Sequence, residues 1–207
     1  MVQKSAPKGR PRSFDADQVL ASVRDTFWRH GYAGTSMDQL SAATGLHKPS
    51  LYGAFGDKRR LYLESLDRYL AEARAEFGAA LSRPRLIDSL TELFGRSILL
   101  FTRGDGGATG CFMVSTAIPV AGEDPEILAI VRAAMDELDR ALVRRFEAAI
   151  AAGELPQGAD PRALARIVSS SHYEIGARAR AGYERAQLER LAAQTVELVR
   201  DFGGAAG

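Results

Sequence analysis

Apolar residues along this chain recur mostly three or four positions apart, the spacing of an α-helix with one buried face. The first such stripe follows Asp15 and contains Val19, Val23 and Phe27, and Gly31 ends it. Similar stripes cover most of the remaining chain and are separated by turn-forming residues. No segment combines alternating apolar and polar positions with a hairpin turn. The sequence therefore predicts an all-α protein.

The longer predicted helices lie in the second part of the chain. A run with no helix breaker except Gly78 extends from Lys58 to about Ser82, which predicts one helix of roughly 36 Å. The apolar run 111–120 fits a strand or a buried helix by pattern alone. Because its neighbours are helical, we predict a helix that bends or ends near Pro119. Further helical stripes lie at 86–101, 127–150, 164–175 and 188–202.

Residues 36–55 have the anatomy of a helix-turn-helix. Such a unit needs inward apolar residues on both helices, a small residue where the helices cross, and a glycine that permits a left-handed turn. Gly45 supplies the turn, and the second helix is then free to project its outer face into a DNA major groove. The inward and crossing positions are Leu40, Ser41, Leu46, Leu51 and Phe55.

Two helix starts in this region have polar residues at capping positions. Thr35 followed by Asp38 resembles a capping box for the first motif helix. Gly56 ends the second motif helix, and Asp57 is a predicted N-cap for the long helix that follows.

Charge is divided unevenly along the chain. The net charge is +1, but residues 1–60 hold ten Lys/Arg against five Asp, which is +5 and leaves −4 for the rest. This asymmetry suggests a polyanionic partner for the N-terminal part, although a solvated surface with a local imbalance is an alternative.

Composition narrows the remaining function classes. Apolar residues are 46% and charged residues 26%, as in an ordinary globular protein. The single Cys111 excludes an internal disulfide framework and a multi-cysteine zinc site, and the three histidines lack metal-binding spacing. The first residues lack the apolar core of a signal peptide, and the longest charge-free run, 106–122, is too short for a membrane span. We therefore expect a cytoplasmic protein that makes no contact with a membrane.

The motif region resembles the DNA-binding domain of the tetracycline-repressor (TetR) family of bacterial regulators. The resemblance covers about residues 14–62, and the remainder matches the family only in length, helix content and helix order. It implies a DNA-binding domain at 1–56 with a basic N-terminal arm, and a helical effector-binding and dimerisation domain at 57–207. The matching segments are Gly31-Tyr32, Thr35-Ser36, Gly45 to Tyr52 and Phe55 to Lys58.

The resemblance implies DNA-contacting roles for individual residues. Lys48 would reach a guanine edge or a phosphate, Pro49 would pack on a thymine methyl group, and Ser50 would reach a base or a phosphate. Phosphate contacts are implied for Ser36, Tyr52 and Lys58, and minor-groove contacts for Arg10 and Arg12 in the N-terminal arm.

Gly53 departs from the family pattern, because many members carry an aromatic or histidine side chain there. A glycine inside a helix costs about 1 kcal/mol relative to alanine. Close approach of the backbone to the groove would explain Gly53, and tolerance on a short exposed helix is the alternative. In both cases we expect sequence discrimination to depend on Lys48, Ser50 and DNA shape.

The resemblance also assigns two tasks to the C-terminal part. The last two long helices, about 163–181 and 184–202, are rich in small residues and would form a four-helix bundle between two subunits. His172 lies on the first of them, where interface hydrogen bonding is the favoured interpretation and ligand binding is the alternative. A ligand would bind between the middle helices, although core packing is the favoured interpretation for most of the candidate wall residues. They are Phe94, Ile98, Phe101, Phe112, Met113, Thr116 and Met135.

These features favour a sequence-specific DNA-binding regulator, most simply a repressor that a small-molecule effector releases from a pseudo-palindromic operator. Two alternatives are a ligand-binding helical protein without DNA recognition and a ligand-independent architectural DNA-binding protein. The sequence lacks a phosphate-binding glycine loop and a nucleophile elbow, so we expect no enzyme activity, cofactor or metal.

Overall fold

The computed structural model describes residues 14–103 and 109–204. Within these ranges the chain is helical and contains no strand, which confirms the all-α prediction. The helices are α1 (Ala16–His30), α2 (Met37–Thr44), α3 (Lys48–Phe55), α4 (Lys58–Leu81), α5 (Leu86–Phe101), a π-helical turn (Met113–Ala117), α6 (Ile118–Ala121), α7 (Pro125–Ala151), α8 (Pro161–Arg180) and α9 (Arg185–Gly204). The predicted domain boundary at 56/57 falls between α3 and α4.

Side-chain capping fixes where the first helices begin. The Asp15 carboxylate accepts bonds from the first backbone N–H groups of α1. The capping box of α2 is formed by Ser36 and Gln39, so the predicted cap at Thr35 is wrong by one residue. The Thr35 hydroxyl instead donates to the Gly31 carbonyl at 2.7 Å, which ties the α1–α2 turn together.

The helix α4 is the axis on which both parts of the molecule pack. It has 24 residues, begins at the Asp57 cap as predicted, and is about 36 Å long. One side of it contacts α1, and other parts contact α5 and α7. As a result, the N-terminal helices and the C-terminal helices share a single continuous apolar core.

Aromatic side chains form the part of this core where α1, α4 and the segment after residue 109 meet. Phe112 lies at its centre, with ring-centroid distances of 5.4 Å to Trp28, 5.9 Å to Tyr62 and 5.4 Å to Tyr69. Trp28 also donates its indole N–H to the Gly110 carbonyl at 3.2 Å. We call these four rings the aromatic junction. It connects α1 to α4 and to the segment that leads into the C-terminal helices.

The apolar run 111–120 is helical, as the neighbouring elements suggested. A π-helical turn leads directly into α6, which contains Pro119 and ends at Ala121, with Gly122 as its C-cap. The start of the run lies against α8: a side chain at Gly110 would meet the Gly176 carbonyl at 2.6 Å, and the Gly110 φ of +71° also favours glycine. These glycines therefore allow the chain to pass close to α8.

The C-terminal helices α7, α8 and α9 pack side by side and leave large apolar side chains uncovered. Ile167, Leu198 and Phe202 are exposed, and they border a shallow groove between α8 and α9. No helix in the described part of the chain is long and apolar enough to cross a membrane.

Candidate DNA-binding surface and ligand cavity

The turn between α2 and α3 is fixed by backbone geometry and a local hydrogen bond. Gly45 has φ +68°, the left-handed conformation that the sequence predicted for this position. The Ser41 hydroxyl donates to the Leu46 carbonyl at 2.6 Å across the turn. Leu40 and Leu51 are fully buried between the helices. Helix α3 is therefore held by its inner face, and its outer face is left free.

The outer face of α3 presents the residues at which DNA contact is predicted. Pro49, Tyr52 and Gly53 are spaced three and four residues apart, so they share this face, and all three are exposed. The Tyr52 side chain is 49% exposed, and it does not pack into the core. Ser50 is partly buried at the edge of the same face.

Lys48 at the start of α3 forms an ion pair with Asp38 of α2. The ammonium and carboxylate are 2.6 Å apart, and both side chains are well exposed. Asp38 therefore pairs with Lys48 and does not cap α2. Exposed ion pairs contribute at most about 1 kcal/mol, so Lys48 can exchange this partner for a DNA group at low cost.

Two of the predicted phosphate-contacting residues, Ser36 and Lys58, lie at helix starts. The Ser36 hydroxyl accepts the Gln39 N–H and is exposed at the N-terminus of α2. The Lys58 ammonium lies 4.5 Å from the centre of the Tyr32 ring, a cation–π contact that orients it at the start of α4. Arg10 and Arg12 lie outside the described residues.

Arg59 joins the start of α4 to the start of α7, a contact that the sequence analysis missed. Its guanidinium binds both Asp124 oxygens, at 2.7 and 3.0 Å, and Glu126 at 2.6 Å. These bonds lower the pKa of Asp124 to about 2. Sixty-five residues separate Arg59 from Asp124, so no local pattern could have identified this pair.

A cavity of about 190 Å³ lies between α4 and α7, with α8 and the segment 111–113 closing it. The α4 wall is formed by Tyr69, Ala73 and Phe77, which recur every four residues. That spacing was visible in the sequence, but an apolar stripe alone does not distinguish a cavity wall from core.

Of the seven predicted wall residues, Met113 lines this cavity. Phe94 and Ile98 border a separate groove between α5 and α9. Phe101 and Phe112 are fully buried core residues, and Thr116 is hydrogen-bonded to the Tyr62 hydroxyl at 2.9 Å. Met135 is partly buried on α7 and is absent from the cavity wall. The cavity follows α4, whereas the sequence analysis expected it nearer α5.

His172 lies inside the subunit, at the cavity, and is 3% exposed. Its Nδ1 is 3.1 Å from the Ser97 hydroxyl of α5, which corrects the expectation of a hydrogen bond across a subunit interface. Burial lowers the pKa of His172 to about 4, so the ring is neutral at physiological pH.

Cys111 lines the same cavity as a buried thiol. The Tyr69 hydroxyl donates to its Sγ at 3.4 Å. Burial raises the pKa of the thiol above its ordinary value. In the described ranges, no group of three His, Cys, Asp or Glu side chains could hold a metal ion.

Comparison with known proteins places both parts of the chain. A family model described as "Bacterial regulatory proteins, tetR family" matches residues 19–64, and one described as "Tetracyclin repressor-like, C-terminal domain" matches residues 87–195. The chain is 31% identical to the HTH-type transcriptional repressor ComR of Escherichia coli K12 over 95% of this chain and 93% of ComR. It is 25% identical to the repressor BdcR of the same organism, over 96% and 95% of the two chains.

A solved structure of a DNA-bound transcriptional regulator also resembles this chain. A cysteine mutant of the TetR family transcriptional regulator CifR, complexed with 26 bp of double-stranded operator DNA, superimposes with a TM-score of 0.81. The two are 29% identical, and the match covers 91% of this chain and 98% of the CifR chain. Together with the exposed α3 of a well-formed helix-turn-helix, these matches show that the chain belongs to the TetR family of DNA-binding transcriptional regulators.

Proposed function

We propose that this protein is a homodimeric repressor that binds a pseudo-palindromic operator with two copies of α3 and leaves it when a small molecule occupies the α4–α7 cavity. The observation that carries this proposal is the pairing of an exposed α3, seated on the buried Leu51, with a cavity in the same packed core. ComR and BdcR, which match almost the whole chain, are both named repressors.

In the proposed complex, α3 enters the major groove with its exposed face toward the bases. Lys48 and Ser50 would contact base edges or phosphates, and Pro49 would pack on a thymine methyl group. Gly53 would allow the helix backbone to approach the groove. Ser36, Tyr52 and Lys58 would bind phosphates on either side, and Arg10 and Arg12 would reach the adjacent minor groove.

The dimer would form through α8 and α9. Ile167, Leu198 and Phe202 are about half exposed on these two helices, and burial of the exposed part of each side chain is favourable by about 1 kcal/mol. Two copies of the pair would form a four-helix bundle related by a two-fold axis, which matches the symmetry of a palindromic site. We infer that the protein acts in the cytoplasm, without enzymatic activity.

Ligand binding would reach α1 through the aromatic junction. Tyr69 lines the cavity, and its ring also packs on Trp28 of α1 at 5.3 Å and on Phe112. A ligand that displaces Tyr69 would therefore shift α1, and with it the spacing of the two α3 helices. Regulation then depends on the ligand preferring the conformation whose spacing does not fit DNA.

The direct test is selection of bound sites from random duplex DNA, followed by release with a metabolite library. We expect a palindromic consensus and at least one releasing compound. Lys48→Ala should weaken consensus binding, whereas Arg140→Ala, an exposed cation on α7, serves as a matched control. Recovery without sequence preference would indicate an architectural protein. Silent Lys48→Ala and Tyr52→Phe variants would indicate a ligand-binding protein without DNA recognition.

A further inference from the structure

The size of the α4–α7 cavity limits what it can hold. Its volume is about 190 Å³, and an engineered apolar cavity of about 150 Å³ is large enough for benzene. One ring with one or two small substituents therefore fits inside it.

The walls of this cavity favour an aromatic ring. Tyr69, Phe77 and Tyr173 line it, and the His172 ring stands edge-on to Phe77 with the centroids 5.0 Å apart. Aromatic rings bind one another by edge-to-face and offset contacts in addition to burying apolar area. A flat ring would thus find partners on α4 and on α8.

The hydrogen bonds of Ser97 fix which nitrogen of His172 carries the proton. The Ser97 hydroxyl has one hydrogen, which it donates to the Leu93 carbonyl at 2.7 Å. Ser97 must therefore accept the bond that joins it to Nδ1 of His172, so Nδ1 is protonated. In a neutral ring, Nε2 is then an unprotonated acceptor.

The acceptor nitrogen of His172 faces the cavity without a partner in the described part of the chain. Among residues 14–103 and 109–204, the only hydrogen bond of the ring is the one to Ser97, and every fully buried side-chain nitrogen or oxygen has a partner, so Nε2 is not fully buried. Because the residue itself is 97% buried and lines the cavity, the space that Nε2 reaches is the cavity. A ligand that donates one hydrogen bond would satisfy it.

Charged groups near the cavity lie at its rim. Arg74 is paired with Glu137 at 2.7 Å, and Arg144 is exposed on α7. Deeper in, burial raises the pKa of Tyr69, Tyr173 and Cys111 and lowers that of His172, so all four groups are neutral at pH 7. An ionised ligand would lose its hydration there without gaining a buried counter-charge.

We propose that the cavity binds an uncharged, single-ring aromatic compound with one hydroxyl group, which donates its hydrogen to Nε2 of His172. His172 is then the residue that determines ligand specificity. The role of this compound as the releasing effector rests on the proposed function, but its binding to the cavity does not.

The test compares three probes by calorimetry with the full-length dimer. 4-Ethylphenol has the required shape and donor, 4-ethyltoluene has the same shape without a donor, and 4-ethylbenzoate carries a negative charge. We expect 4-ethylphenol to bind more tightly than 4-ethyltoluene by about 3- to 10-fold, the usual net value of one neutral hydrogen bond. 4-Ethylbenzoate should bind most weakly.

Variants of His172 connect this preference to Nε2. His172→Phe removes the acceptor and keeps a ring. The affinity for 4-ethylphenol relative to 4-ethyltoluene should then fall about 10-fold, because the phenol hydroxyl is buried without a partner. His172→Gln keeps an acceptor near the Nε2 position and should restore part of the preference. Ala141→Leu, which fills the cavity, should abolish binding of both probes, and Ala148→Leu on the exposed face of α7 should not.

Two results with the unmodified protein would overturn the proposal. One is that none of the three probes binds. The other is that 4-ethylbenzoate binds most tightly, which would indicate that Arg144 selects an anion. An unchanged affinity ratio in His172→Phe would also refute it. Operator binding is measured separately: if the phenol binds in the cavity but never releases DNA, the ligand assignment stands and the proposed release mechanism fails.

Discussion

The stability of the protein should depend on pH through His172. The folded protein holds this histidine neutral, with a pKa of about 4, whereas the unfolded chain takes up a proton near the ordinary value of 6.5. A depressed histidine pKa stabilises the folded state fully above pH 6.5, and this stability is lost as the pH falls from 6.5 toward 4. Below pH 4 both states are protonated, and the loss levels off.

The magnitude follows from the difference between the two pKa values. Each pKa unit corresponds to about 1.4 kcal/mol. Protonation of His172 in the unfolded chain therefore lowers the free energy of unfolding by about 3 kcal/mol when the pH has fallen to 4. At pH 5 the loss is about 2 kcal/mol. Tyr69, Tyr173 and Cys111, which surround the ring, have raised pKa values and stay neutral throughout this window.

The assay is urea unfolding of the wild-type protein and His172→Phe at pH 8 and pH 5, at one fixed protomer concentration because dissociation and unfolding are linked. The wild-type protein should lose about 2 kcal/mol more than the variant between the two pH values. The pH dependence of the unfolding free energy that comes from carboxylates, including Asp124, is the same in both proteins and cancels in the comparison. His47→Gln, at an exposed histidine that makes no capping bond, should behave like wild type. Equal losses in wild type and His172→Phe would refute the reasoning.

Three further predictions concern the DNA-binding end of the molecule. Lys48→Ala should weaken binding to the selected operator by about 1–3 kcal/mol and relax specificity at one base pair, as measured by fluorescence anisotropy on single-base operator variants. Lys58→Ala should weaken binding to all duplexes alike and reduce the slope of log affinity against log salt by about one, whereas an unchanged slope would contradict phosphate contact. Gly45→Ala should lower the thermal midpoint and the free energy of unfolding by about 1 kcal/mol or more, because φ +68° is unfavourable for alanine; calorimetry that finds no change would contradict this account of the turn.

The helices and the helix-turn-helix could be predicted because their signals are local. Gly45 and the apolar positions around it specify a turn whatever the rest of the chain does, and the breaker-free run after Asp57 specifies α4. Errors occurred where two neighbours compete for one role, as at the α2 cap. Thr35 and Ser36 can both cap a helix, and the Thr35 hydroxyl is occupied by the Gly31 carbonyl.

The α4–α7 cavity could not be located from the sequence, because its position depends on which helices pack against each other. Tyr69 and Phe77 have the same helical spacing as core residues, and only the approach of α4 to α7 leaves space between them. His172 illustrates the same limit. Its position on α8 was consistent with a dimer contact, but the orientation of α8 directs its ring to Ser97 inside the subunit.

We infer that α3 is an outward-facing DNA-reading helix that the charged residues around it hold against phosphates. The most direct test is the salt dependence of binding to the selected operator and to a scrambled duplex of equal length. We predict that affinity for both falls linearly with log salt concentration and that the operator is preferred by about 10³-fold or more. Absence of salt-sensitive binding to any duplex would contradict the account.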